Sequence, residues 1–185
     1  DHFCKRPLRR LAAERPTPRF GCCRRLVSPL VAAGVPERQI DVLRPRVMYG
    51  YGLCNVIPFE LTHNVPNCGY KVHFRNGKVI YATDTSNLNG VQAIGDDLYL
   101  IEANYTEEDI HRRIKEKRMA GEFAYEEQAL RNHLSAEKCT EFLLKNMRGN
   151  SVSVPMHVHV DKEAPNDSHR ENPSGGGQEA GGIAG

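Results

Sequence analysis

Asp1 and His2 stand side by side at the start of the sequence. A carboxylate and an imidazole offer a hard and a borderline donor to the same ion, so the pair suits a metal. His63, Asp84 and His157 each come at the end of a strand-like run. Loops after strands are where a scaffold holds residues out toward a ligand, and donors far apart in sequence can meet there. Asp84 is the most specific of them. It directly follows the apolar run Val79-Ile80-Tyr81-Ala82 and sits between Thr83 and Thr85. Such an acid is either a turn or helix cap or a site carboxylate, whose second oxygen the flanking hydroxyls would orient. His133, in Asn132-His133-Leu134-Ser135, is either held by backbone near a helix cap or acts as a general acid or base, because imidazole titrates near neutrality.

His157 and His159 alternate in SVPMHVHVDK, which predicts that both face one side of a strand while Val158 faces the core. His73, His111 and His169 fall in a strand, a helix and a tail and read as structural or solvated. The six cysteines (Cys4, Cys22, Cys23, Cys54, Cys68 and Cys139) have no framework spacing, so reduced thiols are the simplest reading. Metal binding by Cys22-Cys23 with Cys4 is a weaker one, since no CxxC partner exists.

The elements that must position these residues follow from periodicity and punctuation. Residues 5–15 predict a helix, ended by Pro16, and residues 22–33 a weaker one, stopped at Gly34. Short β-prone runs occupy 40–43, 54–59, 70–74, 79–82 and 98–103, and Asn76-Gly77 marks a hairpin between two of them. Thr106 has the pattern of a cap for a helix reaching about Met119, and Ser135 caps another that ends near Gly149. Residues 151–160 alternate as a last strand. This order predicts an α/β fold with a mixed sheet, without a βαβ repeat.

The chain has 185 residues, 39% hydrophobic and 26% charged. Residues 1–161 are expected to fold as one domain. Residues 162–185, rich in Gly, Pro and polar side chains, are expected to form a disordered tail. The net charge of +2 is uneven: residues 1–25 carry +6 and the remainder −4. A basic start either attracts phosphate-bearing substrates or is a solvated face. No signal peptide and no apolar run near 18 residues is present, which predicts a cytoplasmic protein without a membrane partner.

In order and spacing, Asp1-His2, THNVPNCGY, YATDT, IEANY, NHLS and MHVHVDK resemble the metallo-β-lactamase fold hydrolases, in particular the ribonuclease Z-like and phosphodiesterase branch. The resemblance covers about residues 1–161. It implies a metallo-β-lactamase-like αββα sandwich of mixed sheets lacking its first strands, since Asp1 and His2 match only the last two residues of the family's His-x-His-x-Asp-His motif. It further implies that Asp1, His2 and His157 hold one metal ion, that His63 serves the other, and that Asp84 bridges both. His133 then donates a proton to the leaving group, with Asp1 also counted as catalytic. His159 receives no role.

The implied activity is a binuclear-metal phosphodiesterase using a metal-bridging hydroxide. Two Zn²⁺ ions are implied, with Mn²⁺ as the alternative, and the substrate would be a nucleic acid or a cyclic nucleotide. Whether the chain forms a homodimer stays open, and with part of the motif absent the site is expected to be incomplete. The alternatives are hydrolysis of another ester or thioester on the same fold, and a non-catalytic metal- or nucleic-acid-binding module.

Overall fold

A computed structural model of the protein describes residues 5–159. Asp1, His2, Cys4, His169 and the expected tail 162–185 lie outside the described residues. The centre is a six-stranded mixed sheet in the order β3-β4-β5-β6-β7-β8, built by β3 (Tyr49–Gly50), β4 (Cys54–Leu61), β5 (Asn67–Phe74), β6 (Gly77–Ala82), β7 (Leu98–Glu102) and β8 (Val152–Met156). Pairing is antiparallel from β3 to β6 and parallel from β6 to β8. The predicted α/β class with a mixed sheet is what the chain adopts. Arg75 and Asn76 close the β5–β6 hairpin where the Asn-Gly signal places it.

Register determines which face is core. Ile80 pairs with Tyr99 and Ala82 with Ile101, so these four project from one face, where α5 (Ala136–Asn146) meets them with Cys139 and Phe142. Gly69 opposite Ala82's strand is needed for close approach: a Cβ there would lie 2.4 Å from the Phe59 ring. Two further helices, α3 (Glu107–Met119) and α4 (Glu126–Asn132), fold over Ile110, Ile114 and Ala124 as a separate small core.

Both predicted caps form. The Thr106 side chain accepts from the Asp109 amide at 3.3 Å, and Ser135 accepts from the Lys138 amide at 3.3 Å.

The N-terminal segment departs from expectation. Helix α1 (Lys5–Glu14) is present, but the predicted helix over 22–33 is split. Its start belongs to β1 (Phe20–Cys22), and after a 3₁₀ turn only α2 (Val27–Ala32) is α-helical. Phe20–Cys22 is drawn into extended form by a parallel partner, β2 (Ile40–Val42), about twenty residues on. A local reading cannot see such a ladder. Pro29 is tolerated because it lies in the first turn of α2, where an amide would be unbonded anyway. The short β3 and all of α4 also escaped sequence reading.

The last strand is shorter than predicted. It ends at Met156, and His157 turns into the left-handed region with φ 53°. His157 and His159 therefore do not share a strand face, and Val158 is half exposed instead of core-facing.

On the face opposite the core, Val152 pairs with Leu98 and Val154 with Leu100. These two valines of the edge strand are 56% and 43% exposed. An apolar edge strand is a template for association. We expect the chain to self-associate in solution, and Val152→Thr with Val154→Thr, which keeps β propensity, to lower the average mass by light scattering. A strictly monomeric parent chain would contradict this.

Candidate metal centre

The site forms where the C-terminal ends of β4, β6, β7 and β8 open onto loops. Asp84, two residues past β6, is held in the left-handed region at φ 58°. Asn67 at the start of β5 pins that turn, its side-chain amide donating to the Thr83 and Asp84 carbonyls, each at 3.0 Å. Aspartate tolerates this conformation better than most residues, and His157 shares it. Of the three described non-glycine residues at positive φ, Asp84 and His157 both lie here, a concentration of backbone strain typical of functional sites.

Thr83 and Thr85 do not orient the Asp84 carboxylate as the sequence suggested. The Thr83 hydroxyl donates to Tyr81 Oη, while Thr85, fully buried, donates to the Asn87 carbonyl and accepts the Thr62 amide. Thr85 thus ties the loop carrying His63 to the turn carrying Asp84.

Glu102, the last residue of β7, is completely buried and organises the centre. Its Oε2 accepts from the Thr85 amide at 2.8 Å and the Leu134 amide at 3.4 Å. Its Oε1 lies 2.7 Å from His133 Nδ1 and 2.9 Å from His157 Nδ1. Nδ1 of both rings faces the Glu102 carboxylate, and in His133 this leaves Nε2 for a ligand or a proton.

Asp84 Oδ1 lies 3.1 Å from His157 Nδ1 and 3.9 Å from His133 Nδ1. It is buried, yet none of these contacts has hydrogen-bond alignment. The hydrogen bond to Glu102 chiefly raises the His133 pKa above its ordinary 6.5, burial opposes it, and the charges of Glu102 and Asp84 add to the rise.

His63 completes the group, its ring 5.3 Å from that of His133, which in turn is 4.9 Å from that of His157. Four candidate residues, His63, Asp84, His133 and His157, are thus brought together, while Asp1 and His2 lie outside the described residues. His159 is not in the cluster, although the residue borders the same cavity.

Glu102 is the first of two site residues that sequence reading missed. The signal existed, because Glu102 ends the apolar strand LYLIE just as Asp84 follows VIYA, but burial at a strand end gave it no apparent ligand.

Asn104 is a second omission. Its side-chain amide donates to the His157 carbonyl at 2.8 Å and its own carbonyl accepts the His159 amide at 2.9 Å, which clamps the left-handed turn.

One donor atom from each of Asp84, Glu102, His133 and His157 lies within 4.8 Å of the others. Two carboxylates facing one imidazole form an electronegative pocket, and the buried, unbonded Asp84 oxygen lacks the partner that a cation would provide. Imidazole and carboxylate donors together suit Zn²⁺ or Mn²⁺. The site opens into a cavity of about 510 Å³, also bordered by Arg25, Asn67 and Tyr125. Arg25 comes from the basic N-terminal segment.

No family model and no curated protein matches the sequence. Among solved structures, the chain is similar to the Zn²⁺-bound PqqB of Methylobacterium extorquens, with TM-score 0.56 and 11% identity, over 82% of this chain and 57% of that one. It is also similar to the metallo-β-lactamase fold protein YhfI of Bacillus subtilis (TM-score 0.47, 12% identity, 64% of this chain and 42% of that one). A third similarity is to the short form of human tRNase Z (TM-score 0.42, 17% identity, 60% and 38%). The chain therefore spans between 38% and 57% of these three structures.

Proposed function

Because this chain has the metallo-β-lactamase fold, we propose that it is a metal-dependent hydrolase and that the bond it opens is a phosphodiester. The observation that carries this reading is the convergence of Asp84, Glu102, His133 and His157 from four separate segments. A Zn²⁺ or Mn²⁺ ion, when bound, supplies Lewis-acid stabilisation of phosphoryl charge and a water nucleophile at neutral pH. Asp84, His63 and His157 would hold it, with Asp1 and His2, which lie outside the described residues, proposed to complete the ligand set.

His133 acts as the general acid. Glu102 fixes its Nδ1, which leaves Nε2 to protonate the departing alkoxide. The His133 pKa is raised chiefly by the hydrogen bond to Glu102, which favours the protonated ring that a general acid requires. Arg25 at the cavity wall favours an anionic substrate over a neutral ester.

Bis-p-nitrophenyl phosphate tests the reading. Turnover should require added Zn²⁺ or Mn²⁺ and stop with chelator, and His133→Ala should lower kcat by about a hundredfold or more. Turnover indifferent to chelator would overturn metal dependence, and hydrolysis confined to thioesters would overturn the substrate class.

A further inference from the structure

Beside the metal centre lies a second cavity of about 420 Å³, within the roughly 300–1,000 Å³ of small-molecule sites. Tyr105, Ile110, Ala136, Pro155 and Val158 give it an apolar wall. Asn104, Tyr125, Ala129 and His159 border both this cavity and that of the metal site, so the two spaces adjoin along one side.

The polar side chains of the wall are already committed elsewhere. Asn104 donates to the His157 carbonyl at 2.8 Å, and the Tyr105 hydroxyl donates to the His133 carbonyl at 3.3 Å. Thr106 caps α3, and Asp109 accepts from Arg112 at 2.9 Å and from Thr106 at 3.1 Å. Glu126 Oε1 accepts from Lys117 Nζ at 2.7 Å, and its Oε2 is sealed within the protein. Arg113 is not free either. Tyr125 and His159 are exposed at the shared border.

An ion entering this cavity would give up its water for a wall whose charges are already offset. An uncharged apolar group makes no such sacrifice and gains by leaving water. Apolar surface is ready for it, since Val158 is half exposed.

We propose that the second cavity is an apolar subsite of the metal centre. It holds a bulky uncharged ester group, aryl-sized or larger, of a substrate whose phosphoryl group lies at the metal. The committed polar side chains account for the lack of charge, and the volume accounts for the bulk. The shared border accounts for an apolar group and a phosphoryl group in one molecule. This inference rests on the hydrolase reading above and narrows it: phosphodiesters are selected by the apolar group they carry.

Two phosphate monoesters test it on the full chain, as competitive inhibitors of bis-p-nitrophenyl phosphate turnover. Methyl phosphate and 1-naphthyl phosphate offer the metal the same phosphoryl group, but only the second has an apolar group to fill the cavity. In the parent chain 1-naphthyl phosphate should inhibit about tenfold more tightly, or better. Ala136→Leu fills the cavity from the start of α5, and Val158→Phe fills it from the turn after β8. Each should raise the Ki of 1-naphthyl phosphate about tenfold and leave that of methyl phosphate within about twofold. The methyl phosphate value also shows that the variant is folded with its metal centre intact. Equal inhibition by the two esters in the parent, or a preference that survives both fillings, would overturn the subsite.

Equilibrium dialysis of 2-naphthol in the presence of chelator separates the two readings. If the hydrolase reading alone fails, nothing turns over, yet 2-naphthol binds the parent and binds both variants about tenfold more weakly. If 2-naphthol binds none of the three chains, or all three alike, the subsite is wrong whatever the activity.

Discussion

Asp84→Asn should lower metal affinity by at least a hundredfold, and Asp84→Ala should take turnover down by about a thousandfold. Outer partners of metal-binding histidines are already worth roughly 10–100-fold in affinity, and a carboxylate that touches the ion should exceed them. On the proposed phosphodiester substrate, a loss of several kcal/mol of charge stabilisation would correspond to about three decades in rate.

The two variants answer different questions. Asparagine tolerates the left-handed backbone at Asp84 as aspartate does, so it removes charge with little strain. Alanine adds about 1–2 kcal/mol of backbone strain to the loss of the ligand. Asn should also leave the metal-free chain as stable as before, since Asp84 Oδ1 makes no hydrogen bond and shares His157 with a second carboxylate. Calorimetric titration with Zn²⁺ beside thermal unfolding in chelator reads both effects. Asp84→Asn with parental Zn²⁺ affinity would remove Asp84 from the ligand set.

The second large effect concerns folding. Glu102→Ala should destabilise the metal-free chain by about 3–5 kcal/mol, because it strips a fully buried carboxylate from its partners. The Thr85 amide, 2.8 Å from Oε2, would be left buried and unbonded. For a domain of this size that corresponds to a fall in Tm of roughly 10 °C.

Glu102→Gln keeps the shape and isolates the charge, and its signature is pH dependence. Folding raises the His133 pKa above its ordinary 6.5. The associated stability is therefore fully present below 6.5 and is lost as pH rises through the higher folded value. The metal-free parent should lose stability over that window from this group, and Glu102→Gln should flatten the decline. A parent and a Gln variant with parallel stability–pH profiles above 6.5 would show that Glu102 does not set the charge of His133.

Local features of the fold were legible from the residues. Thr106 and Ser135 cap helices because their side chains bond amides three residues ahead, an interaction contained within the motif. The β5–β6 hairpin follows from its own turn, and the strand cores follow from short apolar runs. The same locality explains why His63, Asp84 and His133 were found: each sits beside an element boundary that sequence marks. Cys22 was assigned to a helix and Phe20–Cys22 went unread as a strand because its extended form depends on a ladder to Ile40–Val42, which local spacing cannot reveal.

By itself, then, the sequence determined the mixed α/β class, the capped helices and a set of strand-end donors that resemble a hydrolase site. Only the tertiary structure decided that Glu102 joins them, since its partners lie 17 and 31 residues away. Only it decided that His157 leaves the strand at Met156, under the grip of Asn104, 53 residues earlier. The physical reason is the same in both cases. A buried carboxylate is defined by the distant donors that neutralise it, and a left-handed histidine by the distant amide that holds it, and neither leaves a periodic trace in its own neighbourhood.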